Sequence, residues 1–109
     1  MTGQSSFFGT NKATTAQFGV GNAALTSQIA NPLGSNNSMI VQAGYRNTAI
    51  ASQTGVQPVF PVGGSNLQGT IQIGTGNYAV TSETSASALT NTSVTAQFGY
   101  RNVAVTVQH

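Results

Sequence analysis

Charge is scarce in this chain of 109 residues. Charged residues make up 4% of the sequence, whereas about a quarter is usual in globular domains. The charged side chains are Lys12, Arg46, Arg101 and Glu83, which leave a net charge of +2. Nucleic-acid binding requires clustered lysine and arginine. We therefore predict that neither DNA nor RNA is a partner.

Side chains suited to catalysis and metal binding are also few. The sequence has no cysteine, no aspartate and no tryptophan, and its one histidine is His109. A metal site needs several histidine, cysteine or carboxylate ligands, and catalysis by paired carboxylates needs two of them. The serine and threonine hydroxyls have only His109 and Glu83 as possible bases. The prediction is a protein without metal, cofactor or enzymatic activity.

Long apolar runs are missing as well. No stretch approaches the ~18 apolar residues that a membrane-spanning helix requires, so we predict no membrane span. The first residues lack a basic region followed by an apolar one, and no signal peptide is recognised. We expect residues 1–10 to be a flexible N-terminal segment. Residues 11–109 are expected to form a single domain, because the length leaves no room for a second one.

The sequence contains four copies of one repeat, at residues 11–28, 36–53, 66–83 and 91–108. Each copy begins with Asn, continues six residues later as Gln-x-Gly-x-x-Asn-x-Ala, and closes on Gln, with Glu83 as the single exception. We predict that these positions form side-chain ladders and the edges for assembly. They are Asn11, Gln17, Gly19, Asn22, Ala24 and Gln28 in repeat one; Asn36, Gln42, Gly44, Asn47, Ala49 and Gln53 in repeat two; Asn66, Gln72, Gly74, Asn77, Ala79 and Glu83 in repeat three; and Asn91, Gln97, Gly99, Asn102, Ala104 and Gln108 in repeat four.

Each repeat has the pattern of two β-strands joined by a tight turn. Its residues alternate with a period of two, which places alternate side chains on opposite faces of a strand. The Gly-x-x-Asn arc between the two runs is a turn signal, because glycine and asparagine tolerate positive φ. Pro32, Pro58 and Pro61 all lie between repeats, where a missing N–H does least harm. The longest connection, 54–65, is predicted to protrude as a loop.

Stacking the repeats in register would place identical residues above one another. Each column of strands then forms a parallel ladder with ~4.8 Å between rungs. A stacked side-chain amide can donate to one neighbour and accept from the other, which favours asparagine and glutamine at fixed slots. The predicted fold class is all-β: a β-solenoid of cross-β type, made of four strand-turn-strand repeats.

The repeat resembles that of the curlin family, the subunits of curli amyloid fibres in Gram-negative biofilms. The resemblance covers about 72 of the 109 residues. It implies a secreted, extracellular structural protein that polymerises head to tail with copies of itself, in a fimbrium that serves adhesion. It also implies a nucleator subunit and secretion or chaperone proteins as partners, and inward-facing ladder residues. The opening residue departs from the family, since it is Asn here where the family usually has Ser.

A binding module is the alternative to a fibre subunit. Threonine occupies one equivalent position in three of the four repeats, as Thr26, Thr81 and Thr106, and Ala51 replaces it in repeat two. A row of threonines is what an ice-binding or polysaccharide-binding β-solenoid would show. A monomeric solenoid also needs deviant repeats that cap its ends. The first and last repeats are as regular as the middle two. We therefore predict open strand edges at both ends, the geometry that builds filaments.

The assignment of faces leads to two further predictions. Phe18 and Phe98 share a slot that should point outward, in an apolar stripe suited to lateral bundling or adhesion. In the reversed assignment they would form the core instead. Glu83 should point inward with the ladder residues, and burial should raise its pKa because it disfavours the charged form.

Overall fold

The computed structural model describes residues 1–6, 9–30, 34–56, 64–86 and 90–109. Within these ranges the protein is all-β, and no helix has the length and hydropathy that crossing a membrane takes. The strands are β1 (Thr2–Ser6), β2 (Thr10–Val20), β3 (Ala23–Ala30), β4 (Ser35–Tyr45), β5 (Thr48–Val56), β6 (Ser65–Thr75), β7 (Tyr78–Ala86), β8 (Thr90–Tyr100) and β9 (Val103–Gln108).

Successive strands belong alternately to two sheets. Sheet A has the order β1-β3-β5-β7-β9, and sheet B has the order β2-β4-β6-β8. All strand pairs in both sheets are parallel. Each tight arc within a repeat carries the chain from sheet B to sheet A, and each connection between repeats carries it back. This arrangement of parallel sheets is compatible with a β-solenoid.

Equivalent residues of the repeats are neighbours in the sheets. Gln17 is the register partner of Gln42, Gln42 of Gln72, and Gln72 of Gln97. The closing strands keep the same register, so that Gln28 lies beside Gln53. A slip of one residue would exchange the two faces of a strand, so the polar inner file fixes the register strongly.

The space between the sheets is filled mainly by amide and hydroxyl side chains. Among the largest fully buried side chains of the described residues, Ile40 is the one that is apolar. It packs with Ala49 and Ala51, which are small enough to let the two sheets approach. A buried amide without a partner costs about 1–3 kcal/mol, so this interior is stable only if its polar groups bond to one another.

The N-terminal segment differs from the expectation of a flexible tail. Residues Thr2–Ser6 form β1, which pairs with β3 along its whole length. The physical reason is a partial match to the closing strand of a repeat. Thr2 lies beside Thr26 and Gln4 lies beside Gln28, so that the T-x-Q pattern extends the inner file by one strand.

The predicted loop at 54–65 is shorter than expected. Its first three residues continue β5, which ends at Val56, and its last residue begins β6 at Ser65. Thr54, Gly55 and Ser65 have partners in both neighbouring strands of their sheets, and Val56 has one in β7; this pairing extends the strands. Residues 57–63, with Pro58 and Pro61, lie outside the described residues, as does Pro32.

Candidate functional site: the ladders and their edges

A glutamine ladder runs through sheet B. The Nε2 of Gln17 donates to the Oε1 of Gln42 at 2.7 Å. Gln42 donates in the same way to Gln72, and Gln72 to Gln97, each at 2.7 Å. The side chains of Gln42 and Gln72 are fully buried. Every bond in this ladder points from repeat one toward repeat four.

The second ladder, in sheet A, starts from a residue outside the repeats. Gln4 donates to Gln28 at 2.8 Å, and Gln28 donates to Gln53 at 2.7 Å. Gln53 then donates to the Oε2 of Glu83 at 3.0 Å. Gln4 lies outside the repeat and was not predicted; its one signal in the sequence is the short T-x-Q pattern that residues 2–4 share with residues 26–28.

The second N–H of these amides links the two sheets. Gln28 donates to the backbone carbonyl of Lys12 at 2.9 Å, and Gln42 donates to that of Ala23 at 3.0 Å. The pattern continues along the stack in Gln53, Gln72, Gln97 and Gln108. Each of these glutamines therefore forms a hydrogen bond to the facing sheet, and most also form one to the next strand of their own sheet.

The opening asparagines form a third ladder, which runs in the opposite direction. The Nδ2 of Asn36 donates to the Oδ1 of Asn11 at 3.0 Å. Asn66 donates to Asn36 at 2.9 Å, and Asn91 donates to Asn66 at 3.1 Å. These bonds point from repeat four toward repeat one.

The asparagines of the arcs stack through the backbone. The N–H of Asn47 donates to the Oδ1 of Asn22 at 3.0 Å. The N–H of Asn77 donates to Asn47, and that of Asn102 to Asn77, each at 3.1 Å. These bonds hold the turns of neighbouring repeats in register, and they too point toward repeat one.

The first glycine of the arc lies, in repeats one to three, where no side chain fits between neighbouring repeats. Gly19, Gly44 and Gly74 have φ values of +106°, +117° and +128°, a region that favours glycine. A Cβ on any of them would lie 1.9 to 2.0 Å from the carbonyl oxygen of the next glycine. Gly99 has the same conformation, with φ at +107°, but the nearest atom to its Cβ position is the Nδ2 of Asn102 at 3.8 Å.

Glu83 lies inside the stack, as predicted. Its side chain is 1% exposed and lies between Gln53 and Gln108 in register. Burial raises the pKa of its carboxyl, and the hydrogen bond from Gln53 offsets part of that rise. The Oε1 atoms of Glu83 and Gln108 are both buried without a hydrogen-bond partner among the described residues.

The two ends of the stack present complementary groups. We call the outer edges of β8 and β9 the repeat-four edge, and the outer edges of β1 and β2 the repeat-one edge. At the repeat-four edge, Gln97 uses one N–H on the carbonyl of Tyr78 and has no described acceptor for the other. The Oδ1 of Asn91 accepts no hydrogen bond from a described residue. At the repeat-one edge, the Oε1 atoms of Gln4 and Gln17 accept none from the described part of the chain.

The outer faces agree with the predicted orientation. Phe18 and Phe98 are each 64% exposed on sheet B, so the reversed assignment of faces is wrong. Thr26 and Thr81, in contrast, are buried between the sheets beside Ala51. The threonine file that motivated the ice-binding or polysaccharide-binding alternative is therefore not an outer surface.

Comparison with known proteins found no matching family model, no matching curated protein and no matching solved structure. The likeness to curlin therefore rests on the repeat in the sequence.

Proposed function

We propose that this protein is the structural subunit of an extracellular, curli-like functional amyloid fibre. Copies of the four-repeat β-solenoid add head to tail, so that repeat four of one copy stacks on repeat one of the next. The fibre belongs to the biofilm matrix of a Gram-negative bacterium and serves adhesion. A nucleator subunit and secretion or chaperone proteins act with it. The protein works without a metal or cofactor and is not an enzyme.

The complementarity of the two edges carries this proposal. The repeat-four edge offers glutamine N–H donors and asparagine oxygen acceptors, and the repeat-one edge offers a glutamine oxygen acceptor at Gln17. A head-to-tail junction would repeat the bonds already made between internal repeats. At the glutamine file, two repeat-four edges would place donor against donor, and two repeat-one edges would place acceptor against acceptor. The contact is therefore heterologous and does not close, which is the condition for a filament.

The edge strands support the proposal because they carry little that would prevent pairing. Proteins that avoid edge-to-edge association place charges, prolines or bulges on edge strands. Strands β8 and β9 contain no charged residue and no proline, and β2 contains one charge, Lys12. β8 is eleven residues long, and Gly99 near its end is its one residue with positive φ. Such a strand is an open template for a further parallel strand.

Fibre formation by the purified chain tests the proposal. We expect unbranched fibres in negative-stain microscopy, thioflavin binding, and fibre diffraction with a meridional reflection near ~4.8 Å. Gly74→Ala should abolish assembly, because its Cβ would lie 1.9 Å from the carbonyl oxygen of Gly99. Gly69→Ala is the matched control, since its Cβ meets no atom within 4 Å. A wild-type chain that stays monomeric under these conditions would contradict the proposal.

The location of the fibre needs a separate measurement. Antibodies against the protein should label filaments on the surface of intact cells of the bacterium that produces it. Labelling that requires permeabilised cells would contradict the extracellular part of the proposal and leave assembly itself untouched.

A further inference from the structure

The two sheets differ in their number of strands at one end. Among the described residues, sheet A has five strands and sheet B has four. β8 and β9 end the stack together at the repeat-four edge. At the repeat-one edge, β1 lies one strand beyond β3, and no described strand lies beyond β2 in sheet B. The repeat-one edge is therefore a step, because the outermost strand of sheet A at this end is β1 and not β3 of repeat one.

The step prevents the direct junction while β1 is in place. Repeat four can stack on repeat one only if β9 of one copy pairs with β3 of the next. β1 already occupies that edge of β3, from Thr26 to Ala30. If β9 paired with β1 instead, β8 and β2 would be separated by two strand spacings, ~9.6 Å. One strand position in sheet B would then be empty at every junction.

β1 makes the contacts that a neighbouring copy would make. Gln4 donates to Gln28, the role that Gln108 of another copy would take. The Nδ2 of Asn11 donates to the carbonyl of Ser5 at 2.6 Å, as the later opening asparagines donate to the equivalent carbonyls of the preceding closing strands, those of Ile29, Thr54 and Thr84. The N–H of Thr26 donates to the carbonyl of Met1 at 3.0 Å. The edge of β3 is thus paired from Thr26 to Ala30 within the isolated chain.

The pairing of β1 is nevertheless shorter than the pairing that would replace it. β1 has five residues, all of them exposed, and leaves Ala23, Ala24 and Leu25 of β3 without a register partner in it. The six residues of β9 would pair with β3, and at the same time the eleven of β8 would pair with the eleven of β2. The exchange therefore gives up one short strand pair and forms two longer ones.

We propose that β1 is a displaceable edge strand, which β9 of a second copy replaces on β3 when the two copies join. The partner is another molecule of this chain, and the proposal rests on the proposed function. β1 protects the edge of β3 in the monomer, and its release allows the repeat-four edge of the incoming copy to pair with both sheets. Fibre growth is slowed by this release and is not abolished by it.

A reversible disulfide tests the displacement. Gly3 and Ser27 are register partners whose side-chain positions point outward, and nothing lies within 4 Å of a Cβ at Gly3. Adjacent parallel strands place their Cα atoms ~4.8 Å apart, within the range that a disulfide spans. The chain has no cysteine of its own, so Gly3→Cys with Ser27→Cys can form one defined bond. Thiol titration verifies that it has formed.

Oxidised Gly3→Cys/Ser27→Cys should stay soluble, and addition of a reductant should start growth at the rate of the same protein kept reduced. Ser52→Cys with Ser82→Cys is the matched control, because it links the same slot between two internal strands. The control should grow equally in both redox states. Equal growth of the oxidised and reduced test protein would overturn the displacement and leave the fibre intact. Failure of the reduced proteins and the wild type to form fibres would overturn the proposed function, and the displacement with it.

The mass per length of wild-type fibres gives a second, independent test. With β1 displaced, each 11.1 kDa copy adds four strand spacings, or about 5.8 kDa per nm. With β1 retained, each copy adds five spacings, or about 4.6 kDa per nm. Scanning transmission microscopy of unstained single fibres separates the two values. The lower value would overturn the displacement.

Discussion

Glu83 is the only acidic side chain in the protein, and it occupies a slot where the other repeats carry an amide. An ionised carboxylate cannot donate to Gln108, so the ladder of sheet A is interrupted there and two buried oxygens lack partners. A protonated carboxyl can donate toward Gln108 and restore the connection. The described residues of the neighbouring strands β5, β6, β8 and β9 place no charged side chain against it.

The stability of the folded stack should therefore fall as the pH rises. Burial raises the folded pKa of Glu83 above its ordinary value of 4.5. The stabilisation from the protonated carboxyl is complete below that ordinary value, and it is lost as the pH rises through the folded pKa. Glu83→Gln removes this dependence. We expect the variant to exceed wild type at pH 7 by about 1–3 kcal/mol, the cost of a buried polar group without a partner.

Denaturant unfolding of both proteins at pH 4 and pH 7 measures this difference. The midpoints should lie close together at pH 4 and separate at pH 7, with the variant the more resistant. Equal midpoints at pH 7 would mean that the Glu83 carboxylate is solvated.

At the scale of the strand and its arc, a substitution at Gly99 can obstruct fibre growth without a steric clash inside the monomer. In the isolated chain no atom lies close to the Cβ position of Gly99. Within the chain, the carbonyl oxygen of Gly44 lies against the Cβ position of Gly19. A second copy stacked on repeat four would place the carbonyl oxygen of its own Gly19 against Gly99 in the same way. Gly99→Ala should therefore join a wild-type fibre through its repeat-one edge and then block the next addition. Added in small proportion to wild-type protein, it should slow seeded growth several-fold.

Alanine at φ +107° strains the arc of Gly99→Ala, so circular dichroism first verifies that this variant keeps the strand content of the wild type. The control for the substitution itself is Gly69→Ala, which faces open space on the outside of β6. It should leave seeded growth unchanged at every proportion. If Gly99→Ala reduces growth only in proportion to the wild-type protein it replaces, repeat four does not stack directly on repeat one.

The repeat predicted the strand pairs because each copy supplies the same period-two pattern and the same arc. In-register Gln17, Gln42, Gln72 and Gln97 follow from that identity, and so does the burial of Glu83. β1 escaped prediction because it matches a closing strand only at Thr2 and Gln4, too short a pattern to stand out. The opposite directions of the asparagine and glutamine ladders also escaped, since they depend on which amide atom faces each neighbour.

At the scale of the whole molecule, the two arginines lie on alternate arcs. The arcs stack through backbone bonds: Arg46 N–H donates to the carbonyl of Val20, and Arg101 N–H donates to that of Thr75. Both arginines have positive φ, like Gly21 and Gly76 at the equivalent position of the other two arcs. The guanidinium groups are thus about two spacings apart, ~9.6 Å. Direct stacking of repeat four on repeat one would preserve this alternation along the fibre.

Gly21→Arg with Gly76→Arg would place a positive charge on every arc. We expect this variant to assemble several-fold more slowly than wild type at about 10 mM salt. Its assembly rate should return to that of wild type at about 1 M salt, where the charges are screened. Gly21→Gln with Gly76→Gln is the control, because it adds side chains at the same positive φ without charge. Its growth rate should show no comparable dependence on salt. Equal rates of the arginine variant at both salt concentrations would mean that the arcs do not continue in register across the junction.

The opposed directions of the ladders have an electrical consequence. An α-helix adds its peptide dipoles end to end and so acquires a macrodipole. In this protein the two files of glutamine bonds point toward repeat four and the file of opening asparagines points toward repeat one, with three bonds in each file. The arc asparagines contribute in both directions, because Asn22, Asn47 and Asn77 each accept a backbone N–H of the next repeat and each donate their Nδ2 to a glycine carbonyl of the next repeat. The dipoles of the opening asparagines therefore oppose those of the glutamines, and a stack of many copies accumulates less net moment than the glutamine files alone would give it.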